Sequence, residues 1–341
     1  MMLPNTLISY SSDQARLLWE TAGETVRGTE ADHVKMSPSP SAEETRRRMW
    51  EHYIRSARAL ITHLPSDLPT HLCCLRRYGN TRVSLLLRNL CAPENLPPTP
   101  EYVSGTGLEI FENPSVAVAA TILLAVLLVV TEPYTFATLH EGSLVQNILG
   151  VRGREKAQTA EGSQAVLEWH VEDAFTENRC DYFGLLCLRG DLRAVTLLSP
   201  ARQFRLPARI EDVLREPRFV QSPDAAHRSE ECALPPSPIF SGRRDDPEIC
   251  FDAVYQRAAD PGDVEAIRAL RVLAEAVERE KVQYTLEPGD MLFMDNRRVV
   301  HGRTSYAPRW DGEDRWLLRA MGSVSFRTHR RERRENRMIT W

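Results

Sequence analysis

Paired cysteines are the first thing missing. The seven cysteines, at 73, 74, 91, 180, 187, 232 and 250, form no Cys-x-x-Cys and no zinc-ligand spacing. That excludes a dithiol redox pair and the usual structural zinc cages. No leader is expected either, since MMLPNTLISYSSDQAR has no basic start followed by an apolar core. An odd cysteine count without a leader implies reduced thiols, so the expected location is cytoplasmic. Lysine is scarce: Lys35, Lys156 and Lys281 are the only ones, and the remaining basic residues are arginine. The formal net charge of -4 gives no reason to expect nucleic acid as a partner. Nor is any apolar run long enough for a membrane. Ser115–Val130 is almost entirely apolar, but it falls short of the roughly 20 residues a spanning helix needs. No Lys or Arg cluster flanks it, and it reads as a buried core helix.

What is present is a helical start followed by many short strands. A helix is expected around Asp13–Glu24, and Met36–Ala42 reads as a Ser- and Pro-rich linker. Between Glu43 and His63, the apolar residues Met49, Tyr53, Ile54, Ala57, Leu60 and Ile61 recur at steps of three and four, the mark of an amphipathic helix. Strands are expected at Val83–Leu90, Gly142–Val151, Tyr182–Leu188, Ala194–Leu198, Ile249–Tyr255, Met291–Met294 and Arg315–Phe326. Residues 201–217 read as helical, and Asp263–Val282 as an amphipathic helix. Gln221–Asp246 is polar and holds Pro223, Pro235, Pro236, Pro238 and Gly242, so it reads as a long loop and a candidate lid. The tail from 327 to 341 is basic and reads as a solvated end. This pattern predicts a mainly β fold with helical additions: a double-stranded β-helix, or jelly roll of cupin-like form, buttressed by helices. The expected organisation is a single catalytic domain over 1–341, with a helical region at 1–80 and the jelly-roll core at 81–326.

The informative stretch is Leu167–Arg189, LEWHVEDAFTENRCDYFGLLCLR. On a strand, residues i and i+2 face the same way, so His170 and Glu172 would project together. An imidazole and a carboxylate so placed are two parts of the 2-His-1-carboxylate triad that holds Fe(II) with open positions. The third part lies in the run Pro288–Arg319. There a strand ends at Asp295–Asn296 and His301 follows in a turn. Arg315 then opens the next strand, close enough to the metal to hold a dicarboxylic acid through a bidentate pair.

These runs resemble the clavaminate synthase-like iron(II)/2-oxoglutarate oxygenases, and among them the amino-acid hydroxylases. The resemblance rests on His-x-Glu-Asp-Ala-Phe from His170, Asp-Tyr-x-Gly-Leu-Leu-x-Leu-Arg from Asp181, and Asp-Asn-Arg-Arg-x-Val-His-Gly-Arg from Asp295. It implies His170, Glu172 and His301 as iron ligands. It implies Arg315 and Thr196 at the distal carboxylate of 2-oxoglutarate, and Arg319 at the substrate's α-carboxylate. Asp252 falls where a relative holds a substrate guanidinium, and Glu172 is implied to meet the substrate amine as well. The implied cofactors are Fe(II), 2-oxoglutarate as co-substrate, and O2. The implied substrate is a small amino-acid-like molecule, free or carrier-bound, in specialised metabolism. Two positions depart from the pattern: Val254 stands where a second carboxylate is found, and Leu139 where a glutamine contacts the amino-acid head. A carboxylate at 172 selects oxygenation over halogenation, with hydroxylation as the default. Desaturation or ring closure is the alternative outcome, and a non-catalytic binding barrel the alternative class.

The plainer readings are structural. Arg319 belongs to an Arg-rich strand, Asp252 reads equally as a solvated carboxylate, and Asp295 and Asn296 shape a turn. Trp169 and Trp316 read as packing, and Cys180 and Cys187 as small apolar fillers.

Overall fold

In the computed structural model, which describes residues 5–30, 42–78, 82–102, 109–223, 235–327, 333–335 and 338–339, the chain opens with strand β1 (Asn5–Ser9). Helices α1 (Ser12–Glu30), α2 (Ala42–Leu60) and α3 (Leu68–Tyr78) follow. Next come β2 (Ser84–Arg88), α4 (Glu109–Glu112), α5 (Pro114–Leu128), β3 (Glu132–Phe136), β4 (Val145–Leu149), β5 (Leu167–His170), β6 (Tyr182–Arg189) and β7 (Thr196–Pro200). After α6 (Ala208–Leu214) the chain forms β8 (Phe219–Gln221), β9 (Phe240–Gly242), β10 (Pro247–Ile249) and β11 (Gln256–Ala258). It closes with α7 (Val264–Arg279), β12 (Val282–Tyr284), β13 (Met291–Asp295), β14 (Val299–Arg303), β15 (Trp316–Ser323), β16 (Arg333–Glu335) and β17 (Met338–Ile339).

The apolar run folds as α5. Pro114 occupies its first turn, and the Asn113 side chain accepts hydrogen bonds from the backbone N–H of Ser115 and Val116. That cap satisfies donors the helix cannot satisfy itself. Val116 to Leu127 are all buried, so the helix is apolar on every side because it is covered on every side. Among the described residues, no helix is long and apolar enough to cross a membrane.

Two sheets face each other. The larger has nine strands in the order β1-β2-β13-β6-β15-β3-β17-β16, with β4 also paired to β15. The smaller runs β12-β7-β14-β5. Residue alternation sorts the larger sheet's side chains between two cores. Leu85, Leu87, Leu186, Met291, Phe293, Leu318 and Ala320 pack outward in one cluster with Leu18, Trp50, Leu60 and Leu124 from the helices. Leu86, Leu185, Leu292, Met294, Leu317 and Met321 pack inward against Leu198 and Val299 of the smaller sheet. The smaller sheet's outer face, with Leu197 and Val300, is covered by α6 and α7. This is a jelly-roll core with helical additions.

Several expected elements change. Residues 250–255 are not a strand: only Pro247–Ile249 and Gln256–Ala258 pair, while Asp252 bridges to His170. The 201–217 stretch is helical only over α6, apart from a short 3-10 turn at Ala201–Gln203. Part of the expected lid at 221–246, residues 224–234, lies outside the described residues. Its described end instead forms the β9–β10 hairpin. Part of the basic tail is structured too, since β17 adds to β3 in parallel. His301 sits inside β14 and not in a turn. Glu172 lies just beyond the end of β5, in a turn that continues through Asp173, whose φ is 53°.

Candidate active site

His170 and His301 are brought together by register. They stand directly opposite each other across the β14–β5 ladder, with ring centroids 4.2 Å apart. Glu172 joins them from the turn, not from strand alternation. Its placement depends on Asn296, whose side-chain oxygen accepts the Glu172 N–H at 2.8 Å and whose amide donates to the Glu172 carbonyl at 3.0 Å and the Cys180 carbonyl at 3.1 Å. One buried amide thus holds both backbone groups of the carboxylate residue. Asn296 does more than shape its own turn.

One donor atom each from His170, Glu172 and His301 lies within 4.8 Å of the others. His170 Nδ1 is 2.7 Å from the Glu168 carbonyl. A carbonyl only accepts, so the proton is on Nδ1 and the Nε2 lone pair is free for a metal. His301 Nε2 is 3.3 Å from one Glu172 oxygen. Burial, and next the neighbouring His170, draw the His301 imidazole down to about 4, so it is neutral near pH 7. Burial alone would raise the Glu172 carboxyl. The Arg319 guanidinium and the two imidazoles outweigh that and hold it well below the usual carboxylate range. Two imidazoles and an ionised carboxylate on one side of a cavity fit a divalent iron.

The cavity they share has a volume of about 820 Å³. Thr196, at the start of β7, and Arg315, just before β15, line it, and both are buried. Arg315 Nη1 has no hydrogen-bond partner, so a buried donor there awaits an acceptor. Arg319 on β15 also lines the cavity. Its Nη1 donates to the second Glu172 oxygen at 2.6 Å, and its Nε donates to Gln146 Oε1 at 2.8 Å. Burial disfavours its charge, yet Glu172 keeps the guanidinium firmly protonated. Asp252 reaches the same cavity, with Oδ1 accepting the N–H of Val254 and of Tyr255, each at 2.8 Å. All the candidate residues are therefore around one cavity, with Leu139 and Val254 also in its wall.

Sequence reasoning missed Gln146. It lies opposite Arg319 in the β4–β15 ladder, and only that pairing reveals its role as a fixed acceptor. Trp316 and Trp169 do pack as expected, but each indole N–H is also used, by Asn147 and Glu278 respectively.

Residues 237–321 match the family described as taurine catabolism dioxygenase TauD, TfdA family. The L-asparagine oxygenase of Streptomyces coelicolor is 32% identical over 283 residues, covering 82% of each chain. Clavaminate synthase 2 of Streptomyces clavuligerus is 30% identical over 277 residues, covering 78% of this chain and 82% of its own. The crystal structure of asparagine oxygenase with Fe(II), (2S,3S)-3-hydroxyasparagine and succinate superposes with a TM-score of 0.83 at 27% identity, covering 99% of this chain and 100% of that one. The chain belongs to the clavaminate synthase-like iron(II)/2-oxoglutarate-dependent oxygenases. This oxygenase is therefore an enzyme that uses Fe(II), 2-oxoglutarate and O2. The oxygenase has a carboxylate at position 172, so the group that could hold a metal ion consists of two imidazoles and one carboxylate.

Proposed function

We propose that the enzyme hydroxylates an unactivated C–H of an amino acid or amino-acid derivative, free or carrier-bound, in a specialised pathway. The carrying observation is that His170, Glu172 and His301 converge within 4.8 Å in a cavity whose wall also holds Arg315 and Arg319. In this reading the first three hold iron. Arg315 and Thr196 take the distal carboxylate of 2-oxoglutarate, the part of the molecule that must be anchored for its keto end to reach the metal. Arg319 takes the substrate's α-carboxylate. It commits two of its five donor hydrogens to Gln146 and Glu172, which leaves donors in a planar fork suited to a second carboxylate. The Glu172 oxygen now turned to Arg319 suits the substrate's ammonium. Asp252 stands at the side-chain end, where Val254 removes any second negative charge.

Bound iron with 2-oxoglutarate and O2 supplies an oxidant able to take hydrogen from an unactivated carbon. In sum, substrate C–H, 2-oxoglutarate and O2 give substrate C–OH, succinate and CO2. The protein's part is to position one C–H bond, keep both acids oriented and limit water.

The test is succinate formation with Fe(II), 2-oxoglutarate and a panel of L-amino acids, free and loaded on a carrier protein. At least one is expected to stimulate succinate release and gain one oxygen by mass, and His170→Ala is expected to abolish both. No stimulation by any of them would sink the assignment. A product lighter by two hydrogens would assign desaturation or ring closure to the same site.

A further inference from the structure

The residue after the His301-Gly302 pair carries an unexplained guanidinium. Arg303 ends β14, two positions beyond His301, and its side chain lines the same cavity. It stands opposite Thr196 in the β14–β7 ladder. It is buried, and two of its nitrogens are fixed: Nη2 donates to the Ala165 carbonyl and Nε to the Thr304 carbonyl, each at 3.1 Å. The third, Nη1, is buried with no acceptor.

Arg315 presents the same picture, with its own Nη1 buried and without an acceptor. The two guanidiniums share one aromatic ring, lying 5.1 Å and 5.7 Å from the centroid of Tyr306. The Tyr306 hydroxyl is buried without a partner as well. Among the described residues, neither arginine pairs with an Asp or Glu. Two buried cations around one ring without a counter-ion are unfavourable.

We infer that Arg303 is a second guanidinium of the pocket for the co-substrate's distal carboxylate, acting beside Arg315 and Thr196. This rests on the 2-oxoglutarate reading of the site. A carboxylate offers about four lone-pair directions on two oxygens, enough for donors from two arginines and a hydroxyl. The Ala165 and Thr304 carbonyls hold the Arg303 guanidinium in place before the ligand arrives, so little side-chain freedom is lost on binding. The pair of cations then selects for a keto acid that carries a second negative charge at this end.

The experiment is anaerobic calorimetry on the Fe(II)-loaded protein, with two ligands. One is 2-oxoglutarate. The other is 2-oxopentanoate, of equal chain length but without the distal carboxylate. Arg303→Met is expected to weaken 2-oxoglutarate binding by about 10- to 100-fold, the range for loss of a charge-assisted hydrogen bond. It should leave 2-oxopentanoate binding within about twofold of wild type. Arg303→Lys, which keeps the charge should the Met variant fold poorly, should recover part of the 2-oxoglutarate affinity and none for the other ligand. Equal losses for both ligands in either variant would make Arg303 a structural residue and overturn the inference. So would unchanged 2-oxoglutarate affinity in Arg303→Met. A wild-type protein that binds no 2-oxoglutarate would instead overturn the reading of the site itself, which the wild-type titration reveals first.

Discussion

Two buried titrating groups near the site oppose each other as pH changes. Asp295 is buried, and burial outweighs Arg298 and the Arg297 N–H, pushing its carboxyl up to about 7. Arg298 fails to neutralise it because it contacts Asp246 closely and stays 3.8 Å from Asp295. A carboxyl raised on folding contributes stability below its unfolded value near 3.9, and that contribution is lost as pH rises through about 7. His301 runs the other way. Its value falls from about 6.5 to about 4, so the unfolded chain takes up a proton first, and stability is lost as pH falls through that window. Each contribution is on the order of 3 kcal/mol, and in the metal-free protein they largely cancel. Asp295→Asn keeps the oxygen that accepts from Arg297 and removes one side of the balance. Urea midpoints of chelator-treated protein, measured from pH 4 to pH 8, should show the variant gaining on wild type as pH rises. Parallel profiles would show that Asp295 does not titrate in this range.

At the level of elements, the proposed metal site depends on how closely β14 approaches β5. A Cβ placed on Gly302 would lie 2.7 Å from the Leu167 carbonyl oxygen, closer than backbone atoms tolerate. Glycine there lets the strands meet at the spacing that sets His301 opposite His170. Gly302→Ala should cost about 1–3 kcal/mol in urea unfolding. It should also weaken Fe(II) binding measurably by titration, because β5 must move away carrying His170. A variant that loses stability but binds iron as wild type would separate strand spacing from the ligand set. Much of this was legible in the sequence and some was not, for a physical reason. His170 and Glu172 stand out by their i, i+2 spacing and His301 and Arg315 by their run, whereas Arg319 is named through the family resemblance. Asn296 and Gln146 hydrogen-bond to Glu172 and Arg319, and Arg303 stands opposite Thr196 in a ladder; all three partners are distant in sequence, and spacing says nothing about them. Strand alternation placed Glu172 on the correct side for an incomplete reason, since a turn and an amide hold it there. The 250–255 stretch looked like a strand because Ile249, Phe251 and Tyr255 are apolar or aromatic, yet the Asp252 side chain captures the Val254 and Tyr255 N–H groups that a ladder would use.

For the whole molecule, the site is divided between the two sheets. His170, His301 and Thr196 belong to the smaller sheet, and Arg319 to the larger, with Arg315 at its threshold. The inward core of Leu198, Leu185, Leu317 and their neighbours fixes the gap between them. Leu198→Ala and Leu124→Ala each empty a fully buried site and should each cost about 2–5 kcal/mol. Only Leu198, between the sheets, should also loosen 2-oxoglutarate binding by calorimetry, whereas Leu124, among the helices, should leave it unchanged. Equal binding by both variants would mean that the gap is set elsewhere. The alternation along β15 has one more consequence. Arg315, Leu317, Arg319 and Met321 turn inward, while Trp316, Leu318 and Ala320 face the helices. A slip of one residue would drive both arginines into the apolar cluster around α5 and turn Trp316 and Leu318 toward the cavity. Such a chain would carry two unmatched charges in its driest layer and fail to fold. The two arginines that face the cavity therefore also pin the register of β15, because only one register keeps both out of the apolar layer.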